Sequence, residues 1–485
     1  MARVMLSALH VVTLCGIVGL LAVPVGSLST KEGKIVDANG SEVILKGFAL
    51  SGFESGFTMT GDVSSGSDSI AHDWRTNMYR AKMMGFNAAR LEWHTSGLQA
   101  SPKSVTTSNC NIASTADVDS SLLPPPSVGT PQPTGNPTLP QDPPAITDGI
   151  CSSDLPTSST TDRFVYMANY LCSQGFYVAL VYHSISIAYG GDSAIQDKDA
   201  WISGWVSLLE QVLQSGSCQN RLILDLINEP DAYGASWTES GELSDDVATY
   251  YLDAMDALHE ACPTCLLQIQ GSGQYAAPTY TNYGDGFCTD STQLGGNSNP
   301  AQFFVSLLGK KYLSQTILAP HVYGPIVSTQ VGESSGDALY ARLSRSFGYL
   351  NKDGFCSGGA CHVFPVILGE FNVLLSSSLD VAFWSSLVKY LNNVEDGADG
   401  KHNAISSFFI WAWDANADMQ FGLGGMVEMD YQTLNWSKMA MLIDNSEQFT
   451  YGMGLKPWYL SGSIQHSGND STPAGMTYTT ESYTL

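Results

Sequence analysis

The stretch "LILDLINEPDAYG", residues 222–234, decides the fold. Its first half is an apolar run of strand length without polar alternation, the pattern of a strand covered on both faces, as parallel sheets require. The run ends in Asn228, Glu229 and Pro230, so a buried strand delivers a carboxylic acid at its tip. Proline has no N–H for a sheet ladder, and the strand stops there. A strand end with a proline turn explains the pattern without any function. An acid held in a pocket is the other reading, and it requires a second acid elsewhere.

Outward from this run, seven more segments have the same character: "EVILKGFAL" (42–50), "GFNAARLEW" (85–93), "GFYVALVYH" (175–183), "CLLQIQG" (265–271), "TILAPHVY" (316–323), "FPVILGE" (364–370) and "SSFFIWAW" (406–413). Between them lie stretches at helical spacing, such as "HDWRTNMYRAKMMG" before the second strand. Another is "TTDRFVYMANYLCSQG" before the third, with Thr161 or Asp162 as its expected cap. Strand and helix in alternation imply parallel pairing through helical crossovers. Eight such strands predict a closed (β/α)8 barrel, an α/β fold. An open doubly wound sheet that binds nucleotides would carry a Gly-rich turn after an early strand, and none is present.

The 485 residues are 44% hydrophobic, enough for one large core. There are 46 acidic against 21 basic side chains, a net charge of -25, which disfavours nucleic acid and anionic lipid as partners and favours a neutral polar ligand. "MARVMLSALHVVTLCGIVGLLAVPVGS", residues 1–27, has the layout of a secretory signal, with an uncleaved anchor as the alternative. Ten cysteines, less Cys15 in that segment, leave nine, which in an oxidising compartment should mostly pair. Cys356 with Cys361, and Cys262 with Cys265, are expected local bridges. Asn39, Asn435 and Asn469 each open an N-x-Ser sequon.

Residues 101–160 break the rhythm. They contain "LPPPSVGTPQPTGNPTLPQDPP", too rich in proline for helix or strand, and form a long insertion after strand 2. Cys110 and Cys151 bracket it and are a candidate bridge. Because the insertion leaves the carboxyl end of strand 2, part of it is expected to wall the ligand cleft. Residues 461–485 read as a flexible polar tail.

In a parallel barrel the carboxyl ends of the strands share one face, where the chemistry lies. Strand 2 brings Arg90 and then Trp93 to that rim, and strand 3 brings His183. Strand 4 brings Asn228 and Glu229, the sixth His321 and Tyr323, the seventh Glu370, and the eighth Trp411 and Trp413. Each alone is more simply a structural residue, but their coincidence at one rim is not. Glu229 and Glu370 are two carboxyls on one mouth, the machinery of glycosidic bond cleavage: one protonates the leaving oxygen, the other attacks. Arg90 and a donated Tyr323 hydroxyl should favour the charged form of Glu370, while Glu229 should hold its proton longer. Flat indole faces suit the apolar faces of sugars, and Trp411, Trp413 and Trp93 are the expected platforms.

"INEPD" and "LGEFN", with "AARLEW", "LVYH", "PHVYG" and "FFIWAWD", resemble glycoside hydrolase family 5, the cellulase and mannanase group. The likeness runs in order from about residue 33 to about residue 425. It implies a (β/α)8 barrel over residues 28–460, Glu229 as acid/base, Glu370 as nucleophile, and sugar contacts from Arg90, His183, Asn228, His321, Tyr323 and Trp411. It implies a secreted, retaining enzyme that takes a polysaccharide, with an internal β-1,4-glucan bond favoured. β-Mannan and exo-acting β-1,3-glucan cleavage are the rivals. The chain departs from the family pattern at "EWH" after Arg90, at "VYH" in strand 3, and at Asn372 where glycine commonly follows. These lie near the cleft and bear on substrate choice. A sugar-binding barrel without activity would be expected to have lost an acid. "GESSG" (332–336) fits a serine-hydrolase pattern but follows no strand directly. No spacing implies a catalytic metal, a cofactor or an obligate protein partner.

Overall fold

The computed structural model describes residues 27–460, apart from 56–57, 61–71, 103–121, 134, 136, 138, 146–149, 273–283, 290–298, 329–331, 396–399, 416–421 and 432. Eight parallel strands form its centre: β1 (Lys46–Leu50), β2 (Ala88–Trp93), β3 (Tyr177–Tyr182), β4 (Leu222–Asp225), β5 (Leu266–Ile269), β6 (Thr316–Leu318), β7 (Leu368–Phe371) and β8 (Phe408–Ile410). They pair in the order β7-β8-β1-β2-β3-β4-β5-β6. The ring closes between β6 and β7 through the bridges Leu318–Val366 and His321–Glu370, with Val322 N donating to Glu370 O at 2.9 Å. The seam of the barrel therefore brings together two of the expected site residues. The strands are shorter than the apolar runs that announce them. Beyond Leu318, the ladder of the run 316–323 thins to a bridge.

Each strand is followed by a helix of the outer layer, with shorter helical turns in some connections: α1 (Trp74–Met83), α2 (Thr160–Ser173), α3 (Lys198–Leu213), α4 (Val247–Ala261), α5 (Ala301–Leu307), α6 (Gly336–Leu343), α7 (Ser378–Leu391) and α8 (Trp436–Leu442). Six begin with a side-chain cap, from Asp73, Ser159, Asp197, Asp246, Ser377 and Asn435. The expected cap of α2 is corrected: Ser159, not Thr161 or Asp162, accepts from Asp162 N at 3.0 Å. That leaves Asp162 in the first turn, where the helix dipole favours an acid. The "GESSG" stretch leads into α6 from a loop, and Ser335 is its N-cap position.

Strand alternation sorts the side chains into two cores. Ala179, Val181, Ile223, Leu266, Ile317, Ile367 and Phe409 fill the lower lumen, and Leu28 and Ile35 of an N-terminal hairpin close it from below. Val178, Leu180, Tyr182, Leu224 and Leu91 point the other way, into the layer shared with the helices. Gly47 lies against Phe409, where a Cβ would sit 2.2 Å from the ring, so no larger residue fits that strand position. Above the apolar floor the lumen turns polar, with Arg90, Glu92, Asp225, Gln268 and Gln270 all buried. A dry floor beneath a polar layer is what places the chemistry at the mouth.

Cys262–Cys265 and Cys356–Cys361 are both bridged, the second across a short hairpin. Cys172–Cys218 ties the end of α2 to the turn before β4. Cys151 is also disulfide-bonded, to a partner outside the described residues, and Cys110 lies outside them too. Of the sequons, Asn39 is exposed in a turn, Asn435 caps α8, and Asn469 is outside the described residues.

The described part of the Pro-rich insertion runs over the helix layer. Gln141 accepts from the Tyr79 hydroxyl at 2.7 Å, Ser152 N bonds Asp73 at 3.1 Å, and Gly129 O accepts from Glu447 N at 2.7 Å. Among the described residues it packs on α1 and on the segment after α8, with Leu122 fully buried. Residues 103–121 are outside the description.

Candidate active site

Glu229 stands just past the end of β4 in the left-handed region, φ 44°, a conformation costly for a non-glycine residue and held only by its surroundings. Its amide N–H donates to Gln270 Oε1 at 2.8 Å. The Gln270 amide nitrogen in turn donates to Asp225, at 3.0 and 2.9 Å. Glu370 reaches the same space from β7, whose pairing with β8 shifts register between Leu368 and Phe371. That irregularity lets Glu370 face the lumen while Leu368 and Phe371 face the helices.

Glu370 is held from two sides. Arg90 Nη1 donates to its Oε2 at 2.8 Å, and the Tyr323 hydroxyl donates to Oε1. His321 Nδ1 lies 2.9 Å from Glu229 Oε1 and 3.7 Å from Glu370 Oε2. Burial drives the imidazole of His321 down to about 3, so the ring is neutral. One carboxylate oxygen each from Glu229 and Glu370 and one ring nitrogen of His321 lie within 4.8 Å of one another. Arg90 is fully buried and also donates to Asn228 Oδ1 and Glu92, with Asp225 at 3.5 Å. Because Asn228 Oδ1 accepts from Arg90 and, at 3.4 Å, from Gln270, the side-chain NH2 of Asn228 is the group left to donate elsewhere.

Opposite these acids, His183 Nδ1 is 2.6 Å from Glu92 Oε2, and its ring meets Trp411 edge to face at 5.7 Å. Burial pushes the Glu92 carboxyl well above the usual range, outweighing the nearby Arg90 charge. Burial also lowers His183. Glu54, part-buried after β1, is raised to about 7 by burial and by the charge of Glu92. The trio Glu54–Glu92–His183, like Glu229–His321–Glu370, has the donor types of a cation site. In each, the histidine Nδ1 is already engaged with a carboxyl.

Two expected platforms are corrected. Trp93 is 2% exposed and packs edge to face on Tyr182 and Trp205, between β2 and α3. Trp413 is fully buried against Phe48 and Phe86. Neither offers a face to the mouth. For Trp93 the cause is alternation: Arg90 and Glu92 point into the lumen, so Leu91 and Trp93 point out. Glu92, Asp225, Gln270 and Glu54 are the site residues that sequence reasoning missed. The parity of Glu92 with Arg90 was the available signal for the first.

A (β/α)8 barrel with two facing carboxyls on its fourth and seventh strands defines the class of glycoside hydrolases. The sequence model of the cellulase family, glycosyl hydrolase family 5, matches residues 143–417, more than half of the chain, and the chain belongs to that family. It is 24% identical over 438 residues, 87% of this chain and 72% of the relative, to the major extracellular endoglucanase of Xanthomonas campestris pv. campestris. The solved catalytic domain of that endoglucanase superposes with a TM-score of 0.56 at 22% identity, covering 85% of this chain and 97% of that one. A cellotetraose complex of an endocellulase from Pyrococcus horikoshii gives 0.54 at 18% identity, covering 87% and 100%. Both structures share the fold.

Proposed function

We propose that this enzyme is an endo-acting, retaining β-1,4-glucanase, with Glu370 as nucleophile and Glu229 as acid/base. The observation that carries the mechanism is the approach of a Glu229 and a Glu370 carboxylate oxygen to within 4.8 Å. Retaining enzymes separate their carboxyls by about 5–5.5 Å, whereas inverting enzymes need about 6.5–9.5 Å to admit a water. In the first step a Glu370 oxygen bonds the anomeric carbon as the glycosidic C–O bond breaks, and Glu229 gives its proton to the departing oxygen. In the second, Glu229 takes a proton from water, whose oxygen displaces Glu370 and restores the original configuration.

Each neighbour has a task in that scheme. Arg90 and Tyr323 give Glu370 a guanidinium and a phenol donor, surroundings suited to an attacking anion. Neutral His321 meets Glu229 Oε1 through Nδ1 at 2.9 Å and orients the acid. The Asn228 NH2 binds the hydroxyl beside the reacting carbon, where contacts strengthen in the transition state. Trp411 supplies the apolar face beneath that sugar, and His183 reads a neighbouring hydroxyl with Nε2. Trp93 and Trp413 have no part in binding.

The substrate follows from the relatives' names together with the rim chemistry. No helix among the described residues is long and apolar enough to cross a membrane, and the Xanthomonas relative is an extracellular protein. We read this chain as secreted from the relative's description and from its own first 27 residues. The test is a panel of soluble cellulose derivative, mannan, laminarin and xyloglucan. A rapid fall in viscosity on the cellulose derivative supports the reading. Activity confined to mannan or laminarin overturns it.

A further inference from the structure

Among the described residues, five large apolar side chains are exposed, and two of them share one loop on the catalytic face: Ile185 at 54% and Tyr189 at 84%. The loop starts directly after His183 and returns at Asp192. Its ends are tied together, with Asp192 N donating to Ser184 Oγ at 2.6 Å and the Asp192 carboxylate accepting from the Tyr182 hydroxyl at 3.0 Å. The crown is tied down as well. Glu242 accepts from Ser186 Oγ at 2.8 Å and from Ile187 N at 2.7 Å, and Gly191 N closes on Ser186 O at 3.1 Å. Packing inside the arch is tight: a Cβ on Gly191 would fall 1.8 Å from Ile185 O.

A flexible loop could fold an aromatic ring away from water. This arch is held at both feet and at its crown, and it still leaves Tyr189 in solvent. Compact closed loops of this kind are frequently functional, and a rigid aromatic ring binds at low entropic cost. The arch also has a direction. Glu242 belongs to the connection that follows Glu229, the acid that protonates the leaving sugar, so the arch is pinned to the segment that carries that acid.

We propose that Tyr189 is a sugar platform for the leaving-group half of a β-glucan chain, displayed by an arch that Glu242 pins. The proposal rests on the retaining-glucanase reading above and extends it to a residue outside the reacting centre. An equatorially substituted pyranose presents an apolar face that stacks on the phenol ring, while its hydroxyls stay in water.

The experiment compares Tyr189→Ala, Tyr189→Phe and Glu242→Ala with wild type on cellopentaose and on an aryl cellobioside whose leaving group is too short to reach the arch. Tyr189→Ala should lower kcat/KM on cellopentaose about 5–10-fold, mainly through KM, with the aryl cellobioside unchanged. Tyr189→Phe should stay within about twofold of wild type on both, and Glu242→Ala should reproduce part of the cellopentaose loss. Wild-type kinetics of Tyr189→Ala on cellopentaose would overturn the proposal. So would an equal loss on both substrates, which would mark the ring as structural. If wild type cleaves no β-1,4-glucan, the parent reading fails on its own. The same comparison, run on an oligosaccharide of the glycan it does cleave, then decides the platform separately.

Discussion

The roles proposed for Glu370 and Glu229 differ, and their substitutions should differ in kind. Glu370→Gln and Glu229→Gln should each lower kcat on the polymer by about a thousandfold or more, given the usual scale of acid–base catalysis and the loss of the covalent route. Azide separates the roles. With Glu229→Ala it should restore turnover as a glycosyl azide of retained configuration, because the nucleophile is intact. With Glu370→Ala it should give the inverted azide. Both are read by NMR of the product. The three tryptophans divide similarly. Trp411→Ala should raise KM while the fold stays intact. Trp93→Ala leaves a cavity between β2 and α3 and should cost about 3–5 kcal/mol in chemical denaturation, with KM on folded protein little changed.

At the scale of elements, the barrel and the facing pair Glu229 and Glu370 were legible because a parallel barrel converts strand ends, which sequence displays, into one shared face. The orientation of indoles was not legible from a list of strand ends. Trp93 needed parity with Arg90. Trp413 shares parity with Trp411 but follows Ile410, the last residue of β8, and the chain there has left strand geometry. Partners distant in sequence were equally hidden. Asn372, which stands where the family commonly has glycine, donates to the carbonyls of Trp411 and, at 2.9 Å, Gly424. Its Oδ1 accepts from Lys438 Nζ of α8 at 2.6 Å. The Asn372 amide thus ties the segment after Glu370 to the segment that carries Trp411, and the buried Lys438 amine holds that amide from α8. Lys438→Met should raise KM several-fold with a smaller change in kcat, while the same change at exposed Lys401 should do neither. The bridge Cys172–Cys218 closes a separation of 46 residues. Replacing both cysteines with alanine should cost about 2–4 kcal/mol of stability by the chain-entropy argument, measured in denaturant.

For the whole molecule, more acids are buried around Arg90 than one guanidinium can balance. Glu54 is raised to about 7 from 4.5 and Asp225 to about 6 from 3.8, in both cases first by burial. A carboxyl raised on folding contributes stability that is complete below its unfolded value and is lost as pH rises through its folded value. The window here is therefore about pH 3.8 to 7, and thermal stability should fall across it. Glu54→Gln removes one of these protons from the balance and should flatten the fall by about 1–2 kcal/mol, after discount for the partial exposure of Glu54. Self-repulsion from a net charge of -25 acts almost equally in both proteins and cancels in the comparison. Melting temperatures at pH 4.5, 6 and 7.5 for the two proteins measure it, and parallel curves would contradict the account.

The central claim is that the acid pair is too close for a water to attack directly, so that the sugar must pass through Glu370. Early-time proton NMR of cellopentaose hydrolysis, taken before the released anomer equilibrates, tests it most directly. The account predicts that the new reducing end appears first as the β-anomer. Release of the α-anomer first would contradict it.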